Sequence, residues 1–337
     1  MKQGAIVGIG KIAQTGHLLA FNDEHIASQA AIVAAVDPNP VSRQRALEKF
    51  PYLRCYETLT ECCKKEQIDF VDICAPPHLH STLIKEAVQR SLNILCEKPF
   101  ALNQHEASQL AELLRNHPDI IFIPCHQYRN SLIWKHLYEF KQESGTSSGW
   151  FIEFSVFRTE ADPGLLGGTT SWRTQLSISG GGIIADTGVH YLYLCYWIMG
   201  MPKSVTVRTQ KLYYTAAGVE DTAEIILEYS DGVARINLTW AADRRANSAR
   251  MITRNGSIIY DGAKMLKYSG DRSGMLSVPD ASDKTQYVAM YVQLIGEFLK
   301  QTASGRQNDA WIDEAYQSVR ILEMCYRSAT EGKTLFF

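Results

Sequence analysis

Three clusters of residues have the types and spacing that chemistry needs. The first is Ile94-Leu95-Cys96-Glu97-Lys98-Pro99-Phe100, an apolar run ending in an acid, a lysine and a proline. Such a run reads as a buried parallel strand whose last residues emerge at the carboxyl edge of a sheet, where open α/β sheets bind ligands. An ammonium there stands against a low-dielectric wall and is suited to proton transfer or to stabilising an alkoxide. Glu97 is placed to orient Lys98, and Pro99 stops the strand. The same tripeptide also fits an exposed Glu–Lys pair that only closes a strand. The second cluster is Gly180-Gly181-Gly182-Ile183-Ile184-Ala185-Asp186-Thr187-Gly188-Val189-His190. A helix starting near Gly182 puts Asp186 and His190 at i and i+4, on one face. A carboxylate one turn from an imidazole fixes its tautomer and favours its protonated form, which suits acid–base work on a hydroxyl or carbonyl. A surface Asp–His pair has the same spacing. Nothing nearby supplies further ligands for zinc, so no metal is expected.

The third cluster is Gly4-Ala5-Ile6-Val7-Gly8-Ile9-Gly10-Lys11-Ile12-Ala13, a short apolar strand running into G-x-G-x-x-A. Gly8 permits the tight turn, Gly10 lets backbone approach a pyrophosphate, and Ala13 allows close helix–strand packing. A helix from about Ile12 to Phe21 would offer its amino end to the phosphates. The next strand, Ala31 to Val36, ends in Asp37. An acid there is placed to accept the adenosine ribose hydroxyls of NAD and to repel a 2′-phosphate. Pro38-Asn39-Pro40 comes next, with no Ser-Arg pair, and Arg43 lies further on. NAD is therefore expected and NADP disfavoured. Asp37 as a helix N-cap or turn residue is the competing reading.

These residues need elements to position them. Phe70 to Ala75 reads as a strand, and Pro76-Pro77-His78-Leu79-His80 as a rigid loop that either packs on the dinucleotide or only stiffens a helix entry. Ser81 is expected to cap a helix through Arg90, and Asn103 to start one reaching about Asn116. Ile120 to Pro124 is one more strand. Strands alternating with helices predict a doubly wound parallel sheet over residues 1–124. From 125 to 337 the pattern changes. Trp150–Arg158 and stretches near 204–214, 222–230, 233–240 and 249–254 alternate as strands. Asp231-Gly232 and Asn255-Gly256 are hairpin signals. This half reads as a large, mostly antiparallel open sheet, covered by helices near 180–199, 285–302 and 310–331. Glu160 to Ser179, with Gly164, Gly167 and Gly168, reads as a long binding loop or lid.

The chain has 337 residues, 45% hydrophobic and 21% charged, which suits two globular domains with full cores. A net charge of -2 gives no basic field for nucleic acid or an anionic membrane. No apolar stretch has the length of a bilayer span. The start, Met1-Lys2-Gln3 leading into a strand, does not read as a signal peptide. The eight cysteines form no C-x-x-C pair and no zinc spacing. Buried free thiols in a reducing cytoplasm are expected.

Taken in order, the glycine loop, Asp37, Glu97-Lys98-Pro99 and the Asp186–His190 block make the chain resemble the glucose–fructose oxidoreductase / inositol dehydrogenase / rhizopine catabolism (Gfo/Idh/MocA) family over essentially its whole length. Ala75-Pro76-Pro77-His78-Leu79-His80, Tyr128-Arg129 and Trp172-Arg173 also look like family signatures. The resemblance implies a Rossmann domain and a second α/β domain whose open sheet forms a homodimer or homotetramer. It implies NAD(P)-dependent hydride transfer on a sugar, cyclitol or nucleotide sugar. By the match of motifs, Lys98 holds the reacting hydroxyl, His190 is the acid/base, and Asp186 is its partner and a substrate ligand, with both reactive groups reaching the nicotinamide. Gly8, Gly10, Lys11, Ile12, Asp37, Pro76, His80, Glu97 and Gln127 match cofactor positions. Arg129, Trp172, Arg173 and Tyr193 match the substrate side. The family often has an Asp where Tyr193 stands, and an aromatic and a proline where Asn130-Ser131 come after Tyr128-Arg129; both departures bear on substrate identity. Three other readings compete. One is a non-catalytic NAD(H)-binding regulator on the same fold. Another is a reductase of an apolar or tetrapyrrole substrate, which predicts an apolar pocket around Tyr191, Tyr193 and Trp172. The third is a Rossmann methyltransferase, which leaves Lys98, Asp186 and His190 unexplained.

Overall fold

A computed structural model describes residues 1–145, 149–162, 172–270, 272–281, 283 and 285–337. Gly164, Gly167 and Gly168, the centre of the expected binding loop, lie outside the described residues. The chain forms two compact units. The first comprises Met1–Gln127 and Tyr287–Tyr316, and the second residues 128–162, 172–286 and 317–337.

In the first unit, strands β1 (Lys2–Val7), β2 (Ala30–Val36), β3 (Arg54–Tyr56), β4 (Phe70–Ile73), β5 (Asn93–Cys96) and β6 (Phe122–Pro124) form one sheet in the order β3-β2-β1-β4-β5-β6. Every pairing is parallel. The strand order reverses between β1 and β4, the point where such sheets bind ligands outside their carboxyl ends. Gly8, Cys74-Ala75-Pro76 and Glu97-Lys98 stand just past three neighbouring strands at that edge. The apolar runs that signalled the strands are buried on both faces, as in Phe70-Val71-Asp72-Ile73.

One helix holds its expected span with altered winding, and another starts elsewhere than the sequence reading puts it. The glycine-loop helix spans residues 11–21 and carries a π turn over Ala13–His17 before Leu18–Phe21. A 3-10 turn at Pro77–Leu79 carries the chain into a helix at His80, so Ser81 already lies inside it and does not cap it. Asn103 does cap its helix, accepting a hydrogen bond from the Glu106 amide at 2.9 Å. The helix Gln286–Ser304, expected over the second sheet, packs into the first unit instead. Its Tyr291, Leu294, Ile295, Phe298 and Leu299 join one core with Ile6, Phe21, Ile26 and Phe70. Phe298 sets its ring against Phe70 at 5.4 Å. A helical stripe shows which face is buried but not which sheet it covers.

In the second unit, the described strands β7 (Trp150–Phe157), β8 (Ser204–Gln210), β9 (Thr222–Glu228), β10 (Gly232–Thr239), β11 (Ala246–Thr253), β12 (Gly256–Tyr260), β13 (Met265–Ser269), β14 (Arg272–Leu276) and β15 (Leu335–Phe336) form one sheet. Its order is β14-β13-β12-β11-β7-β10-β9-β8-β15. All pairings are antiparallel except β7 with β10. Asp231-Gly232 and Asn255-Gly256 make the hairpins expected of them. One face of β7, with Ile152, Phe154 and Val156, is buried. Above it lies the helix Val189–Met199, buried along most of its length. Tyr191 anchors this helix, its ring 5.3 Å from Phe154 and 5.8 Å from Trp134. The other face of the sheet carries exposed or half-exposed pairs, Glu153 with Arg250 and Glu224 with Arg235.

The triple glycine ahead of this helix has a packing cause. A Cβ on Gly181 would collide with the Tyr326 hydroxyl, and one on Gly182 with the Glu220 carbonyl. The space they leave lets the Glu220 carboxylate accept from the amides of Gly182 at 3.1 Å and Ile184 at 3.0 Å. Tyr326 donates to Glu220 at 2.9 Å and accepts from the Ala185 amide at 3.1 Å. Burial pushes the Glu220 carboxyl up, against the pull of these donors. Among the described residues, no helix is long and apolar enough to cross a membrane.

Stability measurements test this packing. Phe298→Ala should lower unfolding free energy by about 3–5 kcal/mol, the usual range for a buried phenylalanine, and urea unfolding monitored by fluorescence measures it; a loss under about 1 kcal/mol would place this helix elsewhere. Gly182→Ala should lower it by about 1–3 kcal/mol through overpacking. Gly274→Ala, whose added methyl meets nothing within 4 Å, should stay within about 0.5 kcal/mol as an unobstructed surface change.

Candidate active site

The first unit carries the dinucleotide cluster. Gly8 has φ +89°, and a Cβ there would lie 2.6 Å from the Ala75 amide nitrogen, so only glycine makes this turn. Around Gly10 there is open space, with nothing within 4 Å of where a Cβ would stand. Asp37 is not a helix cap: Asn39 performs that task, accepting from the Val41 amide at 2.9 Å. Asp37 does serve its own turn, accepting from the Asn39 amide at 2.9 Å through Oδ1, and it also accepts from the Ile9 amide at 2.9 Å through Oδ2. The acid is thereby fixed to the glycine turn, and each oxygen keeps acceptor capacity. Arg43 donates to the backbone carbonyls of Asp37 at 2.7 Å and Pro38 at 3.1 Å. Lys11, Ile12 and Pro76 are half-buried on the adjoining turns. An open glycine turn beside an anchored acid fits a dinucleotide.

Glu97 is buried, and its surroundings went unread in the sequence. His17, at the end of the π turn, sets Nδ1 2.8 Å from Asp72 Oδ2 and Nε2 3.0 Å from Glu97 Oε1. Tyr291 donates to the same Glu97 oxygen at 2.6 Å, and the Lys98 amide reaches Oε2 at 3.2 Å. Gln127 donates to the Tyr291 hydroxyl at 3.0 Å, while its Oε1 is buried with no hydrogen-bond partner. Burial alone would push the His17 imidazole down; Asp72 and Glu97 outweigh it and lift it to about 10. Burial would likewise raise Glu97, but the hydrogen bond and charge of His17, with help from Lys98 and Tyr291, hold it down to about 2. The donors of His17, Asp72 and Cys74, and of His17, Glu97 and Cys125, lie close enough to hold a metal. Both ring nitrogens are nevertheless satisfied at hydrogen-bonding distance, and burial keeps the two thiols protonated. An ion network accounts for the cluster.

His80, expected beside the cofactor, is fully buried. Its Nδ1 lies 2.8 Å from the Pro99 carbonyl and its Nε2 2.9 Å from the Ala75 carbonyl. Burial lowers its pKa against the pull of the two carbonyls, and with a carbonyl at each ring nitrogen the imidazole has no nitrogen left for a ligand.

The second unit carries the other cluster. Asp186 lies in a second π turn, Ile184–Gly188, which widens the helix between it and His190. Asp186 accepts from Arg173 Nε at 2.9 Å and from the Thr187 hydroxyl at 3.2 Å. The Arg173 guanidinium stands 4.4 Å from the centre of the Trp172 ring. The His190 ring stacks on Tyr128 at 4.1 Å and 10°. Tyr128 meets Tyr191 edge-on at 5.8 Å, and the Tyr191 hydroxyl donates to Asn247 at 3.1 Å. Tyr193 is fully buried; its hydroxyl accepts from Arg129 at 3.1 Å, and Arg129 stands 5.6 Å from the Trp197 ring. Tyr193 therefore orients Arg129 from within the core.

His17, Tyr291, Glu220 and Tyr326 were missed. One signal was available: Asp72 in the apolar run Val71-Asp72-Ile73 is a charge on a two-sided buried strand, which requires a partner.

Known proteins agree with this architecture. Residues 2–124 match a family described as "Oxidoreductase family, NAD-binding Rossmann fold", and residues 150–259 match the GFO/IDH/MocA C-terminal domain. An uncharacterized oxidoreductase of Schizosaccharomyces pombe is 28% identical over 232 residues, covering 67% of this chain and 60% of that protein. D-apiose dehydrogenase of Paraburkholderia graminis is 24% identical, covering 99% of this chain and 89% of that protein. The structure of an oxidoreductase from Agrobacterium radiobacter with NAD+, L-tartaric acid and magnesium superposes with a TM-score of 0.83 at 19% identity, over 99% of this chain and 98% of that one. Levoglucosan dehydrogenase with NADH and levoglucosan gives 0.83 at 19%, over 99% of both chains. With both of its domains matched, this chain belongs to the Gfo/Idh/MocA family of NAD-dependent oxidoreductases.

Proposed function

We propose that the protein is a dehydrogenase that moves a hydride between NAD and a secondary alcohol or ketone of a sugar, cyclitol or nucleotide sugar. The observation that carries the substrate class is the polar set Asp186, Arg173, His190 and Arg129, held on or against a helix that is otherwise buried and apolar. Such donors and acceptors suit a ligand with several hydroxyls, and they argue against an apolar or tetrapyrrole substrate. The names of the relatives, D-apiose and levoglucosan dehydrogenase, point the same way. The presence of Lys98, Asp186 and His190 together argues against a non-catalytic regulator.

Gly8, Gly10, Lys11, Ile12 and Pro76 would hold the dinucleotide, and Asp37 its ribose hydroxyls. The orphaned Gln127 Oε1 suits the carboxamide amino group. NAD, when bound, takes up and returns the hydride. Lys98 donates to the reacting oxygen and stabilises its developing charge. His190 accepts the hydroxyl proton in the oxidative direction and returns it in the other. Arg129, Trp172 and Arg173 hold the remaining hydroxyls, with Tyr193 steadying Arg129. The charged outer face of the second sheet would form the contact of a homodimer or homotetramer. The buried free thiols suit a cytoplasmic enzyme.

The test is kinetic. A screen of NAD and NADP against polyols, sugars and nucleotide sugars identifies a substrate. Lys98→Met and His190→Ala should then each reduce kcat by about a hundredfold or more, with NAD affinity near that of the wild type. Wild-type turnover in both variants would end this assignment.

A further inference from the structure

Beneath the glycine turn lies a charge cluster that the proposed chemistry does not use. Resting on the role given to Lys98 above, we propose that His17, with Asp72 and Tyr291, is a positioning residue: it clamps the Glu97 carboxylate and thereby sets the backbone that presents the Lys98 ammonium.

The two Glu97 oxygens divide between core and active segment. Oε1 is held from inside by His17 Nε2 at 3.0 Å and by the Tyr291 hydroxyl at 2.6 Å. Oε2 faces the Lys98 amide at 3.2 Å. The far side of the segment is tied down as well, since His80 joins the Pro99 and Ala75 carbonyls. Lys98 therefore rises from backbone fixed on both flanks. Asp72 holds the opposite nitrogen of His17, so the ring cannot turn without breaking one of two charged contacts. Tyr291 lies against the ring at 4.1 Å, closing that side.

A packing role alone does not call for this arrangement. Replacing a buried ion network with apolar side chains of similar volume is often neutral or stabilising. What such residues would not supply is a carboxylate at a defined place beside the Lys98 amide. The groups facing His17 are Asp72 from β4, Cys74 after it, Glu97 after β5, Cys125 after β6 and Tyr291 from the helix Gln286–Ser304. The two thiols and the phenol stay protonated. The imidazolium is thus the cation that holds both carboxylates, and a neutral ring, with one N–H, could serve only one of them.

The experiment is a double-mutant cycle between His17→Gln and Lys98→Met in the full-length protein, read as kcat, NAD affinity by fluorescence and unfolding midpoint. His17→Gln should lower kcat about 10- to 100-fold, as a small misplacement of a catalytic group does, with NAD affinity within about threefold. In the Lys98→Met background the same change should add little. Two losses that multiply overturn the inference and leave the role of Lys98 standing. Wild-type turnover in Lys98→Met overturns both. If His17→Gln does not fold, Tyr291→Phe, which removes the hydroxyl shared by Glu97 and Gln127, runs the same cycle, with NAD affinity separating any loss that acts through Gln127. A second signature comes from pH. Without the Asp72 charge, Glu97 alone opposes burial, and His17 gives up its proton at lower pH than in the wild type. Asp72→Asn should therefore show kcat falling with rising pH in a limb that lies below any in the wild type, where the two carboxylates lift His17 to about 10, and that disappears when His17→Gln is added. Imidazole 15N shifts report the same proton loss without turnover. A profile for Asp72→Asn that matches the wild type contradicts the proposal.

Discussion

A carboxylate on the central strand of a doubly wound sheet has no access to water, and its match must come from within the protein. Asp72 is that carboxylate, with β1 on one side of its strand and β5 on the other. His17 meets it from the helix above, and Glu97 and Tyr291 complete the set. The arrangement ties together four separate stretches of chain: the glycine-loop helix, β4, the end of β5 and the helix Gln286–Ser304. Each of these carries or supports a residue assigned to the cofactor or the reacting oxygen. The long return of residues 287–316 to the first unit thus has a chemical consequence, because it delivers Tyr291.

The second unit solves a similar problem with other means. Its site helix begins where Glu220 and Tyr326 occupy the space left by two glycines. The carboxylate satisfies amides that a helix start leaves open, from outside the helix's own sequence. The glycines here serve side-chain approach; those at Gly8 and Gly10 serve backbone turning and an open cradle. Similar residue runs thus do different work in the two units.

What could be read from the sequence was whatever the backbone imposes locally. The turn at Gly8, the end of β2 at Asp37, the exit of β5 at Glu97-Lys98 and both hairpins of the second sheet arise from chain geometry near the residues themselves. Partners distant in the chain were not legible. His17 and Asp72 are 55 positions apart and Glu97 and Tyr291 are 194 apart. Their contacts depend on strand order and on which core a helix joins. The helix Gln286–Ser304 shows the limit: its apolar stripe was plain, its destination was not. Ser81 shows another, since a 3-10 turn places the helix start two residues earlier than a capping rule puts it.

Both helices that bear site residues carry a π turn near their start, over Ala13–His17 and Ile184–Gly188. Such a turn winds one extra residue into a single coil. Removing that residue would restore regular winding and rotate the chain on one side of the coil by about 100° relative to the other. His17 and Asp186 sit within these coils, so their aim depends on chain length at that point as much as on side-chain type. A one-residue deletion in either segment would therefore turn a site residue away from its partners even with every side-chain type kept.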